Sequence, residues 1–252
     1  MIRVRDGHTF PKYLALVRST EHSRPTAAHE HSRLSTLNRQ ASMHNDPPAR
    51  SADTPEHILL TALGTQARES TYARAGRTAA ARFAPVALIE LLPEEQRPTR
   101  VLTIVTEGAR TTAWPDFSES MQSQFPDITV DCVQVPSGID GYELRQIVES
   151  VAAQVPAGCE LTLDVTHGLR HFPFILYALA LYLTSLRNVR LRGAYYGMIE
   201  ASTGNASKPI VDLRPLLRLP EWFYAVRVFR EFGLAAPIAE RIRQDIQNPE
   251  PT

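Results

Sequence analysis

The chain has 252 residues, 43% of them hydrophobic, with 27 basic and 27 acidic side chains. A formal net charge of zero and a pI near 7.1 exclude a general electrostatic pull toward nucleic acid or a membrane surface, so any anion site must be local. Its two cysteines, Cys132 and Cys159, stand far apart and in no metal-ligand spacing, which supports no disulfide framework and fits a reducing cytoplasm.

Residues 1–52 hold five of the eight histidines: His8, His22, His29, His31 and His44. Apolar periodicity is absent after Val17, and basic residues outnumber acidic ones. Such a segment buries too little apolar surface to offset its ordering entropy. It reads as a disordered extension, or as sequence ahead of the true start. The histidine spacing fits no closed metal site, and no start resembles a signal peptide.

The folded part is expected from about residue 53. His57 to Leu63 is a continuous apolar run, which suits a central strand buried on both faces. It ends in Gly64-Thr65-Gln66, a tight turn. A hairpin is expected over 71–82, with its turn at Ala75-Gly76. A helix follows over 83–92 with Pro85 in its first turn. Val101 to Thr106 is a second buried strand, followed by a helix from Trp114 to Gln124. Asp127 to Val135 is a third strand, and Tyr142 to Val155 an amphipathic helix.

Leu161 to Val165 is a fourth strand, broken at its end by Asp164, Thr166, His167, Gly168 and Arg170. The helix Leu169 to Leu186 is apolar nearly all round, which predicts burial. Its longest apolar run, Phe172 to Leu186, has 15 residues. That is short of the roughly 20 that a membrane span needs. Val189 to Tyr196 is a fifth strand, and Ile210 to Leu213 an edge strand. Helices over 221–232 and 238–246 close the chain, with Gly233 ending the first of them.

Strands alternating with helices predict an α/β fold: a Rossmann-like, mainly parallel sheet with helices on both faces. The expected division is an extension (1–52), the Rossmann-like domain (53–219) and a short helical C-terminal tail (220–252). Gly-x-Gly-x-x-Gly is missing after the first strand, so a dinucleotide has little support, and no cofactor is expected. A strand that ends in small and polar residues before a helix is where open α/β sheets bind ligands. Glycine admits close backbone approach, and a helix amino end attracts anions. The residues alone therefore suggest a phosphate-bearing ligand, or else ordinary turn and cap residues.

Several segments in order resemble one family. These are Ile58 to Thr65, the hairpin around Tyr72 with Arg82-Phe83, and Val105 to Ala109 followed by Trp114. Asp164-Val165-Thr166-His167-Gly168 and Gly193 to Gly197 complete the set. Over about residues 55–235 the chain is similar to the DxTHG-type CRISPR-associated proteins, whose sensor is a CARF domain. That resemblance implies a cytoplasmic homodimer binding a cyclic oligoadenylate, such as cyclic tetra-adenylate, across its two-fold axis in type III CRISPR antiviral defence.

The implied ligand-binding residues are Gly64, Thr65, Gln66, Thr166, His167, Gly168 and Arg170. Tyr195 or Tyr196 would stack on adenine, or else form a core aromatic pair. A metal-independent ring nuclease is an alternative, with His167, Arg170 and Thr65 as catalytic candidates. The family's larger members continue into a HEPN ribonuclease domain with Arg-x4-His. Here that spacing occurs at Arg3-His8, Arg24-His29 and Arg39-His44, in a composition rich in both residues. The effector is accordingly expected to be absent, truncated or a separate chain.

Overall fold

The computed structural model describes residues 55–199 and 207–247, all within the unit Thr54–Thr252. The histidine-rich segment and its Arg-x4-His matches lie outside the described residues.

Five consecutive parallel strands make up most of one eight-stranded sheet, with β5 at its edge: β1 (His57–Ala62), β4 (Arg100–Val105), β5 (Thr129–Gln134), β6 (Glu160–Asp164) and β7 (Arg190–Gly197). The hairpin β2 (Ser70–Arg74) and β3 (Arg77–Ala81), with β8 (Lys208–Asp212), extends one edge. The strand order is β3-β2-β8-β7-β6-β1-β4-β5, and β8 runs antiparallel to β7.

β1 lies between β4 and β6 and is buried at every residue. Its side chains alternate between two cores. Ile58, Leu60 and Ala62 pack with α4 (Gly141–Gln154) and α5 (Phe172–Leu186). Leu59, and Leu63 just beyond the strand, pack with α1 (Ala84–Leu91), α2 (Glu107–Thr112) and α3 (Trp114–Gln124). After the β2–β3 hairpin at the far edge, the chain lays β4 and β5 outward on one side of β1, then returns to the other side of β1 as β6. That reversal puts the topological switch point between β1 and β6, the ligand position of doubly wound sheets.

Several expectations are corrected. Glu107–Thr112 is a short helix, capped by Thr106, whose hydroxyl oxygen accepts the Ala109 amide at 3.5 Å. α5 begins at Phe172, because 169–171 form a turn whose Leu169 carbonyl accepts the Phe172 amide at 2.9 Å. Nor is α5 buried all round: Phe174 and Tyr177 are exposed on one face, and Leu186 at its last position.

At the C-terminal end, α6 (Arg214–Phe232) starts well before Glu221 and crosses the expected boundary at 219/220. Pro215 occupies its first turn, where no N–H is needed. Pro220 lies inside it, and side chains on both sides of that proline, Arg218 and Glu221, pair with α7 (Ala236–Gln247). Gly233, at φ 70°, ends α6 as expected. No helix among the described residues is long and apolar enough to cross a membrane.

Candidate functional site

Asp164 ends β6 as a fully buried carboxyl among hydrogen-bond donors. The Thr61 hydroxyl, on the neighbouring β1, donates to its Oδ2 at 2.7 Å. Thr166 donates twice to Oδ1, from its amide at 3.2 Å and its hydroxyl at 2.5 Å. The Thr166 oxygen then accepts the Gly197 amide from the end of β7 at 2.8 Å. Asp164 and Thr166 therefore clasp the carboxyl ends of three adjacent strands. Burial pushes the Asp164 carboxyl above its ordinary value; the nearby His167 and the three donors pull it back.

His167 turns inward from the same loop. Its Nε2 accepts the Ala84 amide at 3.0 Å, at the start of α1. A helix start leaves its first amides without internal partners. Here Pro85 has no N–H, Phe83 offers no side-chain cap, and His167 satisfies Ala84 from across the fold. An accepting Nε2 requires the neutral imidazole. Burial lowers its pKa; Asp164 raises it and Lys208 lowers it further.

Gly168 adopts φ +104°, and a Cβ there would stand 2.9 Å from the Ala62 Cβ. Gly64, on the loop after β1, faces it closely: a Cβ at 64 would lie 3.5 Å from the Gly168 nitrogen. The two loops thus meet backbone to backbone at the switch point. Gly168→Ala is expected to cost about 1–3 kcal/mol through backbone strain and this contact, measured by urea denaturation. An unchanged midpoint would contradict the packing.

Outward from this contact stand Thr65 and Gln66 on the first loop and Arg170 on the second, all exposed. Glycine backbone, a hydroxyl, an amide and a guanidinium form a surface with donors for phosphate oxygens. Of the residues expected here, three turn elsewhere. The Thr166 hydroxyl is committed to the clasp, and His167 to α1. Tyr195 is buried with its ring over Gly193, where a Cβ would meet ring carbon at 2.5 Å, and Arg74 lies 5.1 Å above that ring. Half-buried Tyr196 points to the other face of β7.

Two participants were not legible as site residues. Thr61 completes the Asp164 clasp; a threonine interrupting an apolar run was its signal. Lys208 opens β8 with its Nζ 2.5 Å from the Ser70 Oγ, and adds a positive charge near His167. Among the described residues no cluster of His, Cys, Asp and Glu could hold a metal ion.

The fold is that of a doubly wound α/β protein, with the Gly64 and Gly168 loops meeting at its switch point. No family model matches the chain. The chain is 29% identical to a CRISPR-associated protein of Methanocaldococcus jannaschii over 117 residues, covering 45% of this chain and 18% of that protein.

Proposed function

We propose that this chain is a CRISPR-associated sensor of the DxTHG type, which binds a cyclic oligoadenylate in type III antiviral defence in the cytoplasm. The supporting observation is the Asp164–Thr166 clasp, which holds the Gly64 and Gly168 loops together at the switch point with Thr65, Gln66 and Arg170 facing outward. The similarity to a CRISPR-associated protein agrees with it.

The sensor acts as a two-fold dimer, so that a ring of four adenylates meets each loop pair twice. Exposed Ile139, Tyr142, Phe174 and Tyr177, at or near the amino ends of the adjacent α4 and α5, supply an apolar face for that contact. Phosphate recognition falls to the loop amides, Thr65 and Arg170, and adenine stacking to Tyr196, which is less buried than Tyr195.

Ring cleavage is the second reading. It would proceed by in-line attack of a ribose 2′-OH, with Thr65 and Arg170 positioning the phosphate. Because the His167 Nε2 is already an acceptor for Ala84, proton transfer through that atom would first require α1 to lose its cap. That favours binding over cleavage.

The test is calorimetry with cyclic tetra-adenylate in metal-free buffer, with the ligand followed by chromatography for an hour. Binding of an intact ring, weakened at least tenfold in Arg170→Ala, is the expected result. Conversion to linear di-adenylate with a cyclic phosphate end would replace the sensor with a ring nuclease. Failure to bind either the four- or the six-membered ring would end both readings.

A further inference from the structure

A cleft of about 760 Å³ opens toward the amino ends of β6 and β7, the ends opposite these loops, and against α6 and α7. Its size is in the range of small-molecule sites, roughly 300–1,000 Å³. It exists because β8 reaches only Tyr195, Tyr196 and Gly197 of β7, and leaves the first half of that strand without a β8 neighbour.

Five arginines line it: Arg190 and Arg192 from β7, Arg214 and Arg218 from α6, and Arg241 from α7. Four carboxylates answer them. Glu160 serves both Arg190, at 2.8 Å, and Arg192, at 3.5 Å. Asp212 pairs with Arg214, Asp245 with Arg218 and Glu221 with Arg241. One carboxylate shared by two guanidiniums leaves the wall positive. Arg190 and Arg192 are also 65% and 45% exposed, and each guanidinium, with five donors, meets Glu160 through a single close nitrogen–oxygen contact. Leu92, Leu181 and Leu217 give the cleft an apolar side.

We infer that this cleft binds a phosphorylated small molecule of nucleotide size, at a site separate from the switch-point loops. Guanidinium forks match phosphate oxygens two at a time, which an ammonium does not. The bound anion bridges β7 to the two terminal helices. Those helices have little else to hold them: Leu217 and Ala225 are the buried residues of α6, and α7 has none. Occupancy therefore tightens α6 and α7 against the sheet, whatever the switch-point loops bind.

The experiment uses the full chain with ATP and inorganic pyrophosphate as probes. Affinity is measured by calorimetry at physiological salt, and amide hydrogen exchange is followed over 214–247. Saturable ATP binding is expected, with slower exchange in both helices. Affinity should fall at least tenfold in R192Q/R218Q and stay unchanged in R170A. The single variant R190Q, at a more exposed position, is the check should the double variant unfold; it should lose at least threefold. The inference is overturned if ATP does not saturate, if R190Q and the folded double variant bind as wild type, or if R170A alone loses binding.

Discussion

Asp164→Ala is expected to remove about 3 kcal/mol or more of stability and, with it, the ligand binding proposed for the switch point. Three donors converge on this carboxyl, two of them from one residue, and the site is closed to solvent. A hydrogen bond to a charged group contributes roughly 1.5–3 kcal/mol, and a buried donor left without its acceptor loses what water would have supplied. Alanine strips the Thr61 hydroxyl and both Thr166 donors at once.

Asn at 164 keeps one carbonyl oxygen but turns an NH₂ toward donors, so its cost should fall below that of alanine yet stay above about 1 kcal/mol. Thr166 offers the reciprocal control. Thr166→Ser keeps a hydroxyl for Asp164 and for the Gly197 amide, whereas Thr166→Val removes both bonds. The expected order of urea midpoints is wild type, T166S, D164N, D164A, with T166V below T166S. If D164A and wild type unfold within 1 kcal/mol, the clasp is not what holds the loops.

The legible parts of this fold are those whose neighbours hardly matter. A run such as Ile58 to Ala62 is apolar at nearly every position because both faces are covered, so it reads as a central strand in isolation. α4 reads from its own periodicity and ends within a residue of expectation, with Asp140 capping it through the Tyr142 and Glu143 amides. α2 carries one buried residue, Ala109, so it has no apolar period to read. The first turns of α6 were hidden by Pro220, which local rules treat as a boundary but which α7 holds in line through Arg218 and Glu221.

At the site, residue types indicated the loops but not where each side chain turns. The His167 partner is Ala84, 83 positions away, and the Thr166 oxygen meets Gly197, 31 positions away. Spacing carries no record of such contacts. The tyrosine pair shows the same limit. Alternation places Tyr195 and Tyr196 on opposite faces, but only the Gly193 cradle and the Arg74 guanidinium decide that Tyr195 is the core member.

His167 sets the second large expected effect, on pH dependence. Folded, its Nε2 must accept the Ala84 amide, and protonation would set N–H against N–H. Its pKa lies below the ordinary 6.5, first because of burial. His57 is shifted the same way by burial; it meets the Thr162 Oγ1 at 2.8 Å and the Arg97 carbonyl at 3.2 Å.

Below about pH 6.5 the unfolded chain takes up protons at these rings that the folded chain does not. Stability therefore falls on acidification, by at most about 1.4 kcal/mol per pH unit for each ring, until the folded values are reached. Asp164 carries the opposite sign, since burial raises it. The measurement is thus the difference between variants. His167→Gln retains an acceptor for Ala84 and should lie within about 1 kcal/mol of wild type at pH 7.5, with a shallower loss between pH 7 and 5. His167→Ala should cost about 1–2 kcal/mol at pH 7.5, as a lost helix cap does.

Equal slopes in wild type and H167Q would show that the ring is not held neutral by α1. If the slopes differ, acid acts on the switch-point loop through the same bond. Gly168 follows His167 directly in the chain, so losing the α1 cap releases the residue that packs against Gly64. Affinity for the proposed cyclic oligoadenylate should then decline with pH in parallel with stability in the wild type, and decline less in H167Q.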